Sequence, residues 1–489
     1  MVVNYNKNTY IIKNERNRKI MKSKNKGLLR LLSLALSVTL IGSCLAGCGD
    51  KKEAADDTIK ISWWRNSGHD KTFMKEKFVE FNETIGKERG IELVYEHKDG
   101  DLEQMIDLAY TTEQAPDLYN TWKISERAEK GQIAALDDIA GMDELIEKFG
   151  KNALEGRLRY HGKVYDLPCT TATYGLIYNV DMFKAAGIVD ENGDAKPPVT
   201  WDDVVEDAKK LTNTSNGEYG FIMPGKWSGF YGTDINMAAS AINGIVDGYN
   251  PQEGNFDLDG PKEITKKYIQ MLKDGSVVPG VEGIDNDPAR ARFGQGKIGM
   301  KIAGSYDVAV LRDQFPAKIN WAVAPLPVSN TDSMGIQYES ADGIFSVNAA
   351  SVEKIGAENI VAIYEFFASD EILTEQYKLG IKIPIDYNLI KDVKMSDEED
   401  INMKNWAKFA SFTQFSQCPP SSRGRDISGI RSIIEAANEL LIDKASDEKV
   451  DEVYDEYTKA FNEGIAKYEE IHPDYDPSPY IIEEWKLLR

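Results

Sequence analysis

The order of strand-like and helix-like segments is the feature that most restricts the fold of this chain. Apolar and polar residues alternate over 59–63 and 91–95, and each of these runs is followed by a segment with apolar residues at helical spacing, at 69–85 and 102–110. A third strand is expected at 117–119. Strands that alternate with helices need crossover connections, which produce a mostly parallel sheet. The sequence therefore predicts the α/β class.

Later segments continue the same mixture. Thr200 and Asp203 have the spacing of a capping box, which predicts a helix that begins at this point. Apolar runs predict further strands at 174–180, 298–302, 321–324 and 344–347. The last ninety residues are mainly helical in pattern.

The N-terminal residues have the composition of an export signal. Basic residues at 22–30 precede an apolar run at 31–41, which is too short to span a bilayer as a helix. Small residues then precede Cys48, as in a bacterial lipobox. We expect a signal peptide at 1–47 and a lipidated Cys48 that anchors the mature chain outside the cytoplasm. The alternatives are an ordinary cleaved signal and a short anchor helix, and either Met1 or Met21 could be the start.

Removal of 1–47 leaves 442 residues, which is more than one compact core usually holds and predicts two domains. The removed segment contains nine Lys and Arg residues and one Glu, so the formal charge of the mature chain is near −30. Such a surface repels polyanions, and we do not expect a nucleic-acid partner.

The number of cysteines does not indicate a fold that is held together by disulfides. Cys169 and Cys418 are the two that remain after the signal peptide and the lipidated residue. They could pair in an exported protein, but two free thiols are the default, and the sequence does not decide between these states.

Motifs for cofactors, metals and catalysis are missing or out of place. The G-x-G-x-x-G pattern at 294–299 follows a helix and opens a strand, which is the reverse of a nucleotide-binding loop and indicates a tight turn. No pair of histidines has metal-ligand spacing among His69, His97, His161 and His472. We therefore expect that the protein binds no cofactor and no metal and that it is not an enzyme.

Aromatic residues are the more informative class. Trp64 ends the first strand, and Trp227 and Tyr231 lie in a Gly-rich stretch at 225–232. A flat aromatic face suits the apolar face of a pyranose ring. For any one of these residues, packing in a core is the favoured explanation, but their recurrence at strand ends and in loops favours a sugar site. The many carboxylates leave a secreted glycoside hydrolase as an alternative.

Three motifs in fixed order carry a family resemblance. They are GKVYDLP at 162–168, YNVDMFKAAG at 178–187 and PPVTWDD at 197–203. Together they resemble the family 1 extracellular solute-binding proteins, a group that includes the maltose-binding proteins. The similarity extends over about 58–470.

This resemblance implies a two-lobed periplasmic-binding-protein type II fold with a hinge between the lobes. The N-terminal lobe would contain 58–170 and 335–390, and the C-terminal lobe 171–325 and 400–489. Residues 326–334 and 391–399 would be crossover segments, and 48–57 a tether.

The resemblance also implies a ligand site between the lobes. By motif position, its residues would be Trp64, Arg65, Asn66, Gln114, Trp227, Tyr231, Tyr306, Glu339, Asp342 and Arg423. A ligand that contacts both lobes would favour their closed arrangement.

The implied function is the capture subunit of an ABC importer. Its partners would be a small molecule, most simply an oligosaccharide, the permease subunits of the importer, and the membrane through the lipid on Cys48. We expect a monomer. A peptide or a polyamine is the alternative cargo.

Overall fold

The computed structural model describes residues 58–67, 69–331, 337–395, 399–421 and 432–484. The expected signal peptide, the tether, Cys48 and Arg423 lie outside these residues. Within the described ranges, no helix combines the length and the apolar character needed to cross a bilayer.

The strands are, in chain order, β1 (Ile59–Arg65), β2 (Ile91–His97), β3 (Leu118–Tyr119), β4 (Arg159–Tyr160), β5 (Lys163–Val164), β6 (Pro168–Asn179), β7 (Tyr219–Phe221), β8 (Tyr249–Asn250), β9 (Asn255–Phe256), β10 (Ile298–Gly304), β11 (Trp321–Ala324), β12 (Gln337–Gly343), β13 (Ser346–Val347), β14 (Ile383–Pro384) and β15 (Ser416–Gln417).

The longer α-helices are Lys71–Phe81, Leu102–Thr111, Ile124–Glu129, Asp143–Phe149, Val180–Ala185, Trp201–Leu211, Ala238–Asn243, Asp259–Asp274, Asn286–Gly294, Ala357–Phe367, Asp370–Lys378, Ile401–Ser411, Ile433–Ile442 and Asp447–Ile471. Wider π-helical turns occur at Asn82–Gly86, Tyr231–Met237 and Val310–Gln314.

The first sheet has the strand order β13-β3-β1-β2. β1 runs parallel to β2, with Ile59 opposite Ile91, and parallel to β3, with Trp63 opposite Leu118. β13 is antiparallel to β3. The predicted mostly parallel sheet is confirmed for this part of the chain, although the strand expected at 344–347 is shorter.

The second sheet is mixed, with the order β15-β12-β6-β10-β7. β6 is antiparallel to β10, β11, β12 and β14, whereas β7 with β10 and β12 with β15 are parallel pairs. The prediction of a mostly parallel sheet is wrong here, because the long strand β6 pairs with four strands that run in the opposite direction.

Buried side chains form two main cores. One contains Trp63 and Phe345 and packs around the first sheet. The other contains Tyr178 and lies on one face of the second sheet, and a third cluster around Ile177 lies on the opposite face, because neighbouring strand residues point in opposite directions. We call the elements around the first core the N-terminal lobe and the rest the C-terminal lobe. The lobe boundaries given above stay a prediction.

Two local predictions agree with the structure to the residue. Thr200 Oγ1 accepts a hydrogen bond from the Asp203 backbone amide, and the Asp203 carboxylate accepts one from Thr200, so the capping box is formed. The G-x-G-x-x-G segment is a turn in which Gly296 has a φ of 80° between a helix and β10. Cys169 and Cys418 carry free thiols.

Candidate functional site

The floor of the candidate site is built from β6 and β12. These antiparallel strands pair from Glu339 opposite Thr173 to Asp342 opposite Thr170. Along β6, Cys169 packs in the N-terminal core and Tyr174 in the C-terminal core, and β12 leads from Tyr338 in the second core towards the first. The two strands therefore pass between the lobes side by side.

A cavity of about 190 Å³ lies against these crossing strands. Its walls come from the loop after β1, from both crossing strands, from the loop after β10 and from the segment before β14. The lining residues are His69, Thr171, Ala172, Tyr174, Ser305, Tyr306, Ser340, Asp342, Ile381 and Lys382. Grooves of about 440–530 Å³ occur elsewhere, but each is lined by helices of a single lobe. The small cavity receives side chains from both lobes, which a closing cleft requires.

Four rings form a row across this floor, which we call the cleft row: Tyr338, Tyr174, Tyr306 and His69. The ring centroids of Tyr338 and Tyr174 are 5.7 Å apart, those of Tyr174 and Tyr306 are 6.2 Å apart, and those of Tyr306 and His69 are 6.0 Å apart. These distances lie within the range of favourable aromatic contacts. Because His69 belongs to the N-terminal lobe and Tyr306 to the C-terminal lobe, their contact spans the cleft.

The position of the Tyr306 ring depends on Gly304. A Cβ atom on Gly304 would come within 2.4 Å of Cε1 of Tyr306. The ring therefore lies flat against a backbone that has no side chain, and this turns it towards Tyr174 and His69.

The charges around the cavity are neutralised in pairs. Lys382 Nζ donates a hydrogen bond to the Asp342 carboxylate, and Arg65 forms a 2.6 Å ion pair with Asp70. Burial, together with the nearby Lys382 ammonium, lowers the pKa of His69 to about 4. At neutral pH the imidazole is therefore uncharged, and the cavity offers hydroxyls, rings and one satisfied ion pair.

The family assignment comes from a comparison with known proteins. Residues 66–372 match the profile of the family described as bacterial extracellular solute-binding protein, and this is more than half of the chain. The chain belongs to this family. The predicted resemblance is confirmed, and so is the prediction of a binding protein rather than an enzyme.

Relatives of this solute-binding protein are distant in sequence. A protein of Brucella abortus (strain 2308) named as a binding protein is 29% identical over 186 residues, which are 36% of this chain and 40% of that protein. The chain thus spans about 40% of the length of the first curated relatives that it matches. The sn-glycerol-3-phosphate-binding periplasmic protein UgpB of Brucella melitensis is 24% identical over 83% of this chain and 93% of its own.

Solved structures confirm the fold. The GacH receptor of Streptomyces glaucescens superposes with a TM-score of 0.64 at 15% identity, covering 86% of this chain and 100% of that one. MalE of Bdellovibrio bacteriovorus superposes with a TM-score of 0.60 at 18% identity, covering 85% and 100%. The solute-binding protein therefore has the predicted α/β, two-lobed periplasmic-binding-protein type II fold with a hinge.

Two of the predicted site residues, Tyr306 and Asp342, line the cavity. The three at the C-terminal end of β1 do not line it. Trp64 is half-buried, with the Lys98 ammonium 3.8 Å from its ring centroid, and Arg65 is buried in its pair with Asp70. Asn66 is exposed.

The remaining predicted residues are spread more widely. Gln114 is exposed, and the half-buried Trp227 ring is folded over Gly229. Tyr231 is 3% exposed and belongs to the C-terminal core. Glu339 lies on the face of β12 opposite Asp342, because strand residues alternate. Arg423 lies outside the described residues, and the binding roles of all these residues stay predictions.

Sequence reasoning missed several residues that line the cavity. His69 lies four residues after the end of β1, and a single histidine at this position carries no sequence signal for ligand binding. Ser340 could have been found from the alternation of β12, since it shares a face with Asp342. Lys382 carries no local signal, because its place at the site comes from the pairing of β14 with β6.

Proposed function

We propose that this protein is the extracytoplasmic solute-binding subunit of an ABC importer and that it captures a neutral sugar between its lobes. The observation that carries the proposal is the cavity beside the crossing strands, with Tyr306 and His69 contributed from opposite lobes. A ligand in contact with both walls binds the closed arrangement of the lobes more tightly than the open one, and it therefore stabilises the closed arrangement.

The chemistry of the walls favours a polyhydroxylated ligand. Tyr174 and Tyr306 offer ring faces, while Ser305, Ser340 and Asp342 offer polar atoms that can bond hydroxyl groups. Sites for drug-sized ligands usually measure about 300–1,000 Å³. The cavity of about 190 Å³ is smaller, so an oligosaccharide would place one part here and extend along the cleft.

Charge argues against a phosphorylated cargo. A phosphate group is usually held by Arg or Lys donors. The cation that lines this cavity is Lys382, and it already donates to Asp342. A glycerol phosphate, the ligand named for UgpB, would have to break that pair. A polyamine would compete with Lys382 for the same carboxylate.

Several structural neighbours support the sugar proposal by the ligands in their descriptions. GacH is described in complex with acarbose, MalE of Bdellovibrio with maltotriose, and RafE with raffinose. Their identities of 15–18% to this chain mean that the likeness supports the class of cargo and not a particular sugar.

We also propose that a lipid on Cys48 holds the protein at the outer face of the membrane, where the permease would receive the closed form. One acyl chain gives only marginal binding, so two or more are needed. Mass spectrometry of the mature N-terminus should find an acylated Cys48, and replacement of Cys48 by Ser should release the protein from the membrane fraction. An unmodified N-terminus at another residue would contradict the anchor.

A ligand screen with four probes tests the cargo. The Tm of the purified protein is measured in the presence of maltotriose, raffinose, sn-glycerol 3-phosphate or spermidine at equal concentrations. Binding of each probe is measured separately by calorimetry on folded protein. We expect a neutral saccharide to raise Tm, since ligand at about 100 times Kd adds about 2.7 kcal/mol of stability. A response to the phosphate or to spermidine alone would refute the neutral-sugar proposal.

A further inference from the structure

A largely shielded arginine joins the two lobes at the opposite end of the cleft row from His69. Arg157 lies next to Leu158 of the N-terminal core. Its Nε donates a 2.9 Å hydrogen bond to the Pro419 carbonyl, and its Nη2 lies 3.5 Å from Oδ2 of Asp247. Asp247 follows Val246 of the C-terminal core. The ion pair therefore connects the lobes.

The same guanidinium contacts the first ring of the cleft row. Its central carbon lies 5.4 Å from the ring centroid of Tyr338, a favourable cation–π distance. Tyr338 in turn stacks on Tyr174 at an interplanar angle of 26°. Arg157 thus fixes one end of the cleft row, whose other three rings, Tyr174, Tyr306 and His69, line the ligand cavity.

The backbone of the C-terminal lobe holds Asp247 in place. Asp247 and Gly248 both have left-handed φ values, 57° and 70°, and the Tyr249 amide donates to the Val246 carbonyl at 3.1 Å. This is the pattern of a type I′ turn, which Asp-Gly favours. A Cβ atom on Gly248 would come within 2.1 Å of Leu258. The carboxylate is therefore presented from a tightly packed turn.

The C-terminal segment braces the hairpin that follows this turn. Tyr249 Oη donates to the Tyr480 carbonyl at 3.1 Å, and the Ile482 amide donates to the Pro251 carbonyl at 2.7 Å. Tyr480 is buried with Tyr249 and Phe256 in a small separate core. Tyr480 and Ile482 lie after residue 470, where the similarity to the family ends, and they thus stabilise the part of the C-terminal lobe that faces Arg157.

We propose that Arg157 is a positioning residue that, through Asp247, latches the two lobes together and aligns the cleft row. The inference rests on the proposed closure of the lobes. Both side chains of the pair are largely shielded from solvent, at 11% and 23% exposure, so their attraction is screened less than that of a surface pair. Because the partners lie on different lobes, separation of the lobes would break the contact and the closed arrangement keeps it.

Small-angle scattering of the ligand-free protein tests the latch. We expect Arg157→Gln and Asp247→Asn each to increase the radius of gyration, because the lobes separate when the pair is lost. Asn tolerates the left-handed backbone at 247, so this change removes charge without disturbing the turn. The double variant should open by less than the sum of the two single effects, since each single variant already removes the contact that the pair shares. Arg157→Lys should be intermediate, because Lys keeps the charge but not the planar fork.

The matched control is Arg159→Gln. Arg159 donates to the carbonyls of Gly150, Ala153 and Gly162, all in its own lobe. This variant should keep the wild-type radius of gyration even if Tm falls. Raising NaCl from about 0.05 to about 0.5 M should open the wild type slightly and leave Asp247→Asn unchanged.

Two results would overturn the latch. One is an unchanged radius of gyration in Arg157→Gln and Asp247→Asn, and the other is a double variant that opens by the sum of the two single effects. Neither result bears on the cargo, because the scattering needs no ligand and the ligand screen reports sugar binding separately.

Discussion

Two groups of aromatic rings in this protein look alike in sequence and differ in what surrounds them. In the N-terminal core, Trp63 packs against Phe345, Phe78 and Phe367 with ring centroids 4.6–5.0 Å apart. In the cleft row, centroid distances are 5.7–6.2 Å. The rings around Trp63 are phenylalanines, whereas the cleft row consists of Tyr and His, which carry polar atoms at their edges.

The difference shows how a chain separates packing from recognition. A buried Trp or Phe contributes through the apolar area that it removes from water. Tyr306 and His69 keep part of their surface at a cavity, where the ring face and the polar edge are both available to a ligand. We therefore expect changes in the first group to lower folding stability, and changes at Tyr306 and His69 to lower ligand affinity.

Replacement of Trp63 by Ala should have the largest effect on stability. The side chain is fully buried, and truncation of a buried Trp costs about 3–5 kcal/mol. Urea denaturation should show this loss in the free energy of unfolding. The neighbouring Trp64→Ala is the matched control. Trp64 is half-buried, and its replacement should cost about 1 kcal/mol. Equal losses in the two variants would contradict the assignment of Trp63 to the core.

Replacement of Tyr306 by Ala should act mainly on ligand affinity. The ring forms the C-terminal wall of the cavity, so its loss should weaken binding of the sugar identified by the screen at least tenfold, or about 1.4 kcal/mol. Calorimetry measures the affinity, and urea denaturation should show a smaller change than for Trp63→Ala. Tyr306→Phe keeps the ring face and should bind within a few-fold of wild type. A Phe variant as weak as the Ala variant would argue against stacking.

Sequence alone could predict the features of this fold that are set locally. The capping box at Thr200 depends on neighbouring residues and was correct to the residue. The strands around Trp63 followed from alternation. Trp63 itself could not be told from Trp64 until the two faces of β1 were known, because only the tertiary packing decides which face is covered.

The candidate site was less accessible to sequence reasoning. Tyr306 and Asp342 were proposed from a family motif and line the cavity. His69 and Lys382 were not proposed, because they reach the cavity from distant segments. Glu339 was proposed together with Asp342, yet three positions along a strand place two residues on opposite faces. Glu339 and Asp342 are therefore, like the two groups of rings, similar residues in different surroundings.

The two carboxylates of β12 differ in their partners. Asp342 accepts a hydrogen bond from Lys382 at the cavity. On the other face, Oε2 of Glu339 has no hydrogen-bond partner among the described residues. Burial raises the pKa of Glu339 from 4.5 to about 8. The folded protein therefore holds the Glu339 proton more tightly than the unfolded chain does.

The smallest expected effect is the pH dependence of Glu339→Gln. Because the folded pKa is the higher one, the stability that the proton provides is complete below about pH 4.5 and is lost as the pH rises through about 8. A shift of this size corresponds to about 5 kcal/mol for a carboxyl group held away from water. Glu339 is only half-buried, and we expect solvent to reduce the effect: in urea denaturation the Gln variant should match wild type near pH 5 and exceed it by about 1 kcal/mol near pH 9. Asp342→Asn should show no such gain, since it removes the partner of Lys382. If Glu339→Gln gave the same difference at both pH values, Glu339 would already be ionised near pH 5, and the two faces of β12 would not differ in the way described.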